Sequence, residues 1–343
     1  MALHYWHTFT KCSEISIVSR VVVCLIVTLA QPLHLQAQHN FQSYLNSLTA
    51  RQDGSVIVIN PSTGAIRAAW NLRRATMDAY PPGSTGKIVE AAGALEQGLL
   101  TPSDRIVCRR IPPLLGTDYR CVHPPAPQGF TVSSALANSC NYFFTVISLR
   151  LNAQSLIHWY SVFGFGTPAE LDGMATSPGR VRLAQGPRAK ALEAIGEWGV
   201  VVTPAQLLEA YVLVANQGAV WPLRTKDVRR RHSHPFRQIT AKPLTYQTIL
   251  NGLVACVRFG TCRAAAVPGV QVAGKTGTAS ALDGSHTTHA WFVGFAPAER
   301  PEVALVVFLD RGTGEHTAAP LAGNLLRHYF ATMRKGGESV ARH

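Results

Sequence analysis

The sequence predicts an α+β domain: an antiparallel sheet flanked by helices, with a helical subdomain inserted between its strands. Three observations predict it. Runs with strand character lie towards both ends of the chain, at 55–59 and 65–70 and again at 269–276, 290–295 and 303–309. Helical periodicity fills much of the stretch between them. No internal repeat, low-complexity linker or second domain divides the 343 residues.

Taken in order, the chain begins with Lys11 and Arg20, followed by an apolar run over 21–30 and the segment 31–38. That is the order of a secretory signal peptide, and the run is too short to span a bilayer unaided. An uncleaved anchor over 15–35 is the alternative. The expected division is therefore a leader over 1–37, the main domain over 38–337 and a tail over 338–343. An exported protein would work in the periplasm or at the extracytoplasmic face of the cytoplasmic membrane.

Phe41, Leu45 and Leu48 recur at helical spacing and predict a short amphipathic helix. A buried strand follows over 55–59, then a turn at Pro61-Ser-Thr-Gly64, then the returning strand. In Tyr80-Pro81-Pro82-Gly83-Ser84-Thr85-Gly86-Lys87, two prolines and a glycine hold an irregular turn. Ile88, Ala91, Ala92 and Leu95 then mark a helix, with Gly98 as its stop. Ser84 and Lys87 fall one turn apart, on one face of that helical start. A lysine kept neutral by its surroundings can take the proton of such a serine.

Residues 99–130 are proline-rich and irregular. Helices are expected over 131–137, 142–151 and 154–163, with Ser139-Cys140-Asn141 in the break between the first two. Thr203-Pro204-Ala205-Gln206 has the form of a capping box with proline at the first helical position, opening a helix to Asn216. Further helices are expected over 245–257 and 319–330, on either side of the last three strands.

Export would make disulfides permissible. Past the leader stand Cys108, Cys121, Cys140, Cys256 and Cys262. The sequence-local pairs Cys108–Cys121 and Cys256–Cys262 are the expected bridges, with Cys140 left over as a small buried side chain. Other pairings stay open on spacing alone. No C-x-x-C is present, no Cys/His spacing has the form of a zinc site, and neither metal nor cofactor is expected.

The formal charge of +13 has much of its origin in 224–237, where Arg224, Lys226, Arg229, Arg230, Arg231 and Arg237 face only Asp227. The run reads as a solvated loop, or as an attraction to anionic envelope polymers or lipid head groups. No nucleic-acid-binding motif or aromatic interleaving accompanies it, so a nucleic-acid partner is not expected.

Ser84-x-x-Lys87, Ser139-Cys140-Asn141 and Lys275-Thr276-Gly277 occur in that order, followed by Thr278. The ordered set is far more specific than any member, and it resembles the signature of penicillin-binding proteins and class A β-lactamases, with Cys140 where aspartate is usual. From about residue 39 to 333 the chain resembles the transpeptidase domain of a high-molecular-mass penicillin-binding protein. Supporting segments are Val56-Ile-Val-Ile-Asn-Pro-Ser-Thr-Gly64, Phe163-Gly-Phe-Gly166, Val202-Thr-Pro204 and Trp291-Phe-Val-Gly-Phe295.

The resemblance implies a penicillin-binding-protein/β-lactamase-like fold and a D-alanyl-D-alanine stem-peptide substrate from peptidoglycan, with β-lactams as covalent inhibitors. It implies that Ser84 attacks and Lys87 is the base. Ser139 relays a proton between the two lysines and the leaving amine, and Asn141 holds Lys87 and the substrate backbone. Lys275, Thr276 and Thr278 bind the terminal carboxylate, Gly277 lets the strand approach the substrate closely, and the N–H groups of Ser84 and Thr278 form the oxyanion hole. D,D-transpeptidase is the leading expectation. D,D-carboxypeptidase, a class D-like β-lactamase or penicillin sensor, and a non-catalytic envelope binding protein are the alternatives. The chain lacks the E-x-x-L-N of a hydrolytic β-lactamase, and Asn141 stands where class D enzymes have an aliphatic residue. Glu197-Trp198 departs from the glycine-rich turn usual after Gly196, and Trp291 and Phe292 are read as strand packing.

Overall fold

The computed structural model describes residues 36–225 and 235–338. The expected leader lies outside them but for its last two positions, and so do most of the basic run and all but the first residue of the tail. Among the described residues no helix is long and apolar enough to cross a membrane.

Helix α1 spans 36–49. It leads into the hairpin of β1 (Gly54–Ile59) and β2 (Ile66–Trp70). The helical insertion follows: α2 (Leu72–Met77), α3 (Lys87–Glu96), α4 (Val132–Ala137), α5 (Asn141–Arg150), α6 (Ala153–Val162), α7 (Pro187–Glu193), α8 (Pro204–Ala215) and α9 (Pro243–Phe259). The chain then returns to the sheet as β3 (Ala273–Ser280), β4 (Thr288–Ala296) and β5 (Val303–Leu309), and ends in α10 (Ala319–Glu338). The five strands lie in the order β2-β1-β5-β4-β3, and every pairing is antiparallel.

Period-2 alternation sorts each strand between two cores. Ile57, Ile59, Trp291, Val293, Val306 and Phe308 face the helical insertion. Val56, Val58, Phe292, Leu305, Val307 and Leu309 face Leu325 and Leu326 of α10 and Phe41 and Leu45 of α1. With helices on both faces, the strands read as continuous apolar runs. α8 crosses the insertion side fully buried over Pro204–Val214, and the expected capping box is present: Thr203 Oγ1 accepts from Gln206 N at 3.1 Å and Gln206 Oε1 from Thr203 N at 2.9 Å.

Two expectations need correction. The strand placed over 269–276 begins at Ala273, because Gly269 is in a left-handed turn at φ 72°, and it runs on to Ser280. Lys275-Thr276-Gly277 therefore lies within the strand, with Lys275 opposite Val293 and Gly277 opposite Trp291. Of the two expected bridges, the Cys256 and Cys262 sulfurs stand at disulfide distance, while Cys108 and Cys121 are both free. The loop turns the Cys121 sulfur towards Cys140 instead, at 3.9 Å.

Candidate active site

The Ser84 turn is held from three directions. Gly83–Gly86 form one tight 3₁₀ turn, so α3 proper starts at Lys87 and Ser84 sits just before it. The Trp291 indole N–H donates to the Pro81 carbonyl at 3.0 Å, and the Tyr211 hydroxyl donates to the Thr85 carbonyl at 2.9 Å. From the third side β3 comes in edge-on at Gly277, where a Cβ would stand 2.8 Å from the Pro82 oxygen. The lack of a side chain at Gly277 thus lets β3 pack against the Ser84 turn, a contact separate from the approach to substrate expected there. Trp291 packs in the strand, as expected, and its N–H gives it a second task.

Lys87 is fully buried, and its ammonium nitrogen collects four oxygens. Ser84 Oγ lies at 2.9 Å, the Ser139 carbonyl at 2.9 Å, Ser139 Oγ at 3.4 Å and Asn141 Oδ1 at 2.6 Å. Burial pushes its pKa down to about 8. One turn on, Glu90 is buried as well; its carboxylate accepts the Tyr160 hydroxyl at 2.5 Å, and burial raises its pKa to about 8.

Ser139 occupies a left-handed backbone conformation at φ 52°, rare for a serine. That conformation brings both its carbonyl and its hydroxyl to Lys87. The same hydroxyl is 3.0 Å from Lys275 Nζ, so Ser139 Oγ stands between two buried lysines. Burial and the neighbouring Lys87 charge hold the Lys275 pKa well below its ordinary value. Asn141 opens α5, and its Nδ2 donates to the Tyr119 carbonyl at 3.1 Å, which fixes Oδ1 on Lys87.

All five expected catalytic residues therefore meet around Lys87 and Ser139. A cleft of about 240 Å³ opens over them, lined by Ser84, Ser139, Asn141, Thr276, Gly277 and Thr278. Thr276 and Thr278 differ in what they offer. Thr276 is buried and its hydroxyl pairs with Thr261 Oγ1 at 2.6 Å, whereas Thr278 is exposed. Thr278 Oγ1 accepts the Gly314 N–H at 3.0 Å, leaving its own O–H to donate into the cleft. The cleft is a polar trough of hydroxyl and amide groups with the two buried lysines behind it.

The motifs did not point to Arg120, Thr261 or Glu315, which also line the cleft. Thr261 had a faint signal, since it lies between the paired Cys256 and Cys262. Glu197 fills the place of the usual glycine-rich turn, and its carboxylate accepts the Ser280 N–H at 3.1 Å near the end of β3. At the ends of the basic run, Arg224 and Arg237 are partly buried, and Arg237 lies 3.6 Å from the buried Glu209. Beside the cleft, Cys108, Cys121, His123 and Cys140 bring one potential ligand atom each to within 4.8 Å of one another. With 12, 1 and 16 residues between successive members, no spacing pattern announces the group.

Residues 54–327 match the model of the penicillin binding protein transpeptidase domain. Among curated proteins, the chain is 26% identical to the peptidoglycan D,D-transpeptidase MrdA of Acinetobacter baumannii, over 92% of this chain and 56% of that one. It is 31% identical to stage V sporulation protein D of Bacillus subtilis, over 76% and 43%. The chain thus spans about half the length of these relatives. Pseudomonas aeruginosa PBP2, solved in complex with WCK 5153, superposes with a TM-score of 0.73 at 25% identity, covering 85% of this chain and 77% of that one. The TP domain of Burkholderia pseudomallei penicillin-binding protein 3, at 23% identity and TM-score 0.72 over 86% and 93%, shares the fold.

Proposed function

The chain belongs to the penicillin-binding protein transpeptidase family, and from that premise we propose that it is a peptidoglycan D,D-transpeptidase working through a Ser84 acyl-enzyme. The observation that carries this reading is the contact of Lys87 Nζ with Ser84 Oγ while Ser139 Oγ spans Lys87 and Lys275. Neutral Lys87 takes the hydroxyl proton as Ser84 Oγ attacks the penultimate D-alanine carbonyl. The N–H groups of Ser84 and Thr278 receive the developing oxyanion, an interaction typically worth about 3–4 kcal/mol for one donor. As the intermediate collapses, the proton passes from Lys87 through Ser139 Oγ to the departing D-alanine amine. An acceptor amine then enters by the same path in reverse and forms the cross-link.

Substrate binding follows from the same groups. The exposed Thr278 hydroxyl donates directly to the terminal carboxylate, and Lys275, held on Ser139 Oγ, supports that end of the cleft. Asn141 Oδ1 holds Lys87 while one Nδ2 hydrogen goes to Tyr119, and the second Nδ2 hydrogen is left to bond the substrate backbone. β-Lactams enter as covalent inhibitors at Ser84. The protein is exported, its first 37 residues serving as a signal peptide or anchor, and it works at the extracytoplasmic face. Residues 224–237 give it an anionic envelope surface as a further contact.

Labelled penicillin tests the nucleophile. The adduct is expected on Ser84, Ser84→Ala abolishes it with the fold intact by circular dichroism, and an adduct on Ser139 or Cys140 refutes the scheme. Incubation with a donor stem peptide and a D-amino acid separates acceptors. Mass spectrometry should find the exchanged peptide; the hydrolysed peptide alone would make the enzyme a carboxypeptidase.

A further inference from the structure

We propose that Cys108, Cys121, Cys140 and His123 form a closed structural site for a soft divalent cation, zinc in the first instance. Four features of the cluster support it. The ligand atoms come from one loop and from the N-cap of α5, and all lie within 4.8 Å of one another. The Cys121 and Cys140 sulfurs are 3.9 Å apart. A tetrahedral zinc with Zn–S of about 2.3 Å holds its sulfurs roughly 3.8 Å apart, whereas a disulfide draws them to about 2.05 Å. The pair has the spacing of two ligands, not of a bridge.

Each sulfur also accepts a backbone N–H: Arg110 N to Cys108 at 3.3 Å, Tyr142 N to Cys121 at 3.3 Å and Phe143 N to Cys140 at 3.4 Å. Such bonds stabilise thiolate charge and orient its lone pairs, as outer partners do at metal sites. His123 supplies the fourth feature. Its Nδ1 donates to the Pro124 carbonyl at 2.8 Å, which fixes the tautomer with the lone pair on Nε2. The residue is only 8% exposed, and Nε2 has no hydrogen-bond partner. A buried lone pair next to three sulfurs is costly unless a cation takes it.

Three thiols and one imidazole choose the ion. Soft sulfur ligands favour zinc over calcium or magnesium, and four protein ligands leave no open position for catalysis. Binding M²⁺ displaces three thiol protons and gives a complex of net charge −1, with the Arg110 guanidinium alongside, bonded to the Cys121 and His123 carbonyls. Cys140 stands between Ser139 and Asn141, and the loop carrying Cys121 also carries Tyr119, whose carbonyl anchors Asn141. The ion would thus tie the loop to the Ser139–Asn141 segment, making the four ligands positioning residues for that segment.

The test uses the full chain without a histidine tag, purified without chelator. Elemental analysis should find one zinc per chain. Cobalt exchanged into the protein should show sulfur-to-metal charge-transfer absorption with the intense visible bands of a tetrahedral site. Thiol modification of the folded wild type should release the ion. Cys108→Ser and His123→Ala, both outside the catalytic groups, should weaken zinc binding by more than roughly tenfold, beyond the loss of an outer partner. Zinc absent after supplementation, zinc retained unchanged in both variants, or peptide mapping of the supplemented protein that finds Cys121 bridged to Cys108 or Cys140 would each overturn the proposal.

Discussion

Burial sets the chemistry of Lys87. A buried ammonium loses hydration that its oxygen neighbours only partly replace, and its pKa falls to about 8. Below that pH the group is protonated and cannot accept the Ser84 proton; above it, the amine is free to do so. Acylation by a β-lactam should therefore rise with pH through about 8 and level off above it. Glu90 has its own pKa near 8, so it needs separating. Glu90→Gln should keep the ascending limb, while Lys87→Met should flatten it and lower the rate by on the order of a hundredfold or more. A wild-type profile flat from about pH 6 to about pH 10 would remove Lys87 as the base. At this scale the sequence was informative where residues lie close together in chain. Ser84 and Lys87 share one helical turn, and Ser139 and Asn141 bracket one residue. The thiol–imidazole group was not legible, because a folded loop, not a spacing, assembles it. The left-handed Ser139 was likewise hidden, since a positive φ at a serine depends on tertiary surroundings that local sequence does not reveal.

Helix starts and sheet edges do the positioning. α3 presents Lys87, α5 presents Asn141, and β3 brings Lys275 to the hydroxyl between them. The periodicities that define these elements were readable, and so was the capping box of α8. The start of β3 was misplaced because apolar Val270 and Val272 precede it with strand-like character while Gly269 holds a turn. The role of α8 was missed because nothing in an apolar run says which hydroxyl on it meets a distant carbonyl. Tyr211 is that residue: fully buried, it reaches from α8 to the Thr85 carbonyl at 2.9 Å. Tyr211→Phe keeps the ring and removes the donor, leaving a buried carbonyl unpaired. Stability should fall by about 1–3 kcal/mol. Because that carbonyl belongs to the Ser84 turn, acylation should slow as well, measured on folded protein below its unfolding transition. Lost stability with an unchanged acylation rate would show that the bond braces the core without positioning the turn.

Over the whole molecule the sheet has two unlike edges. β3 borders the cleft, and its side of the sheet carries the residues proposed to bind an extended peptide, as strand-addition sites do. β2, at the far edge, is covered by α1. There Gln42 Nε2 donates to the Ala69 carbonyl at 3.0 Å and Gln42 Oε1 accepts the Ala69 N–H at 3.0 Å, so a side chain stands in for a missing strand. Phe41, on the same helix, is fully buried between the sheet and α10, edge-on to Tyr329 at 5.9 Å and stacked near His328 at 6.0 Å. The first and last helices described thus close the face of the sheet opposite the insertion. Phe41→Ala would leave a cavity in that core, costing about 3–5 kcal/mol. Against a typical total of about 5–15 kcal/mol, the variant should still be mostly folded, with a lower midpoint in urea. The Ser84 turn is built on the other face, so acylation measured well below that midpoint should match the parent protein. A loss under about 1 kcal/mol would mean that α1 is not part of the cooperative core. A full loss of stability together with slowed acylation would mean that the two faces are coupled through the sheet.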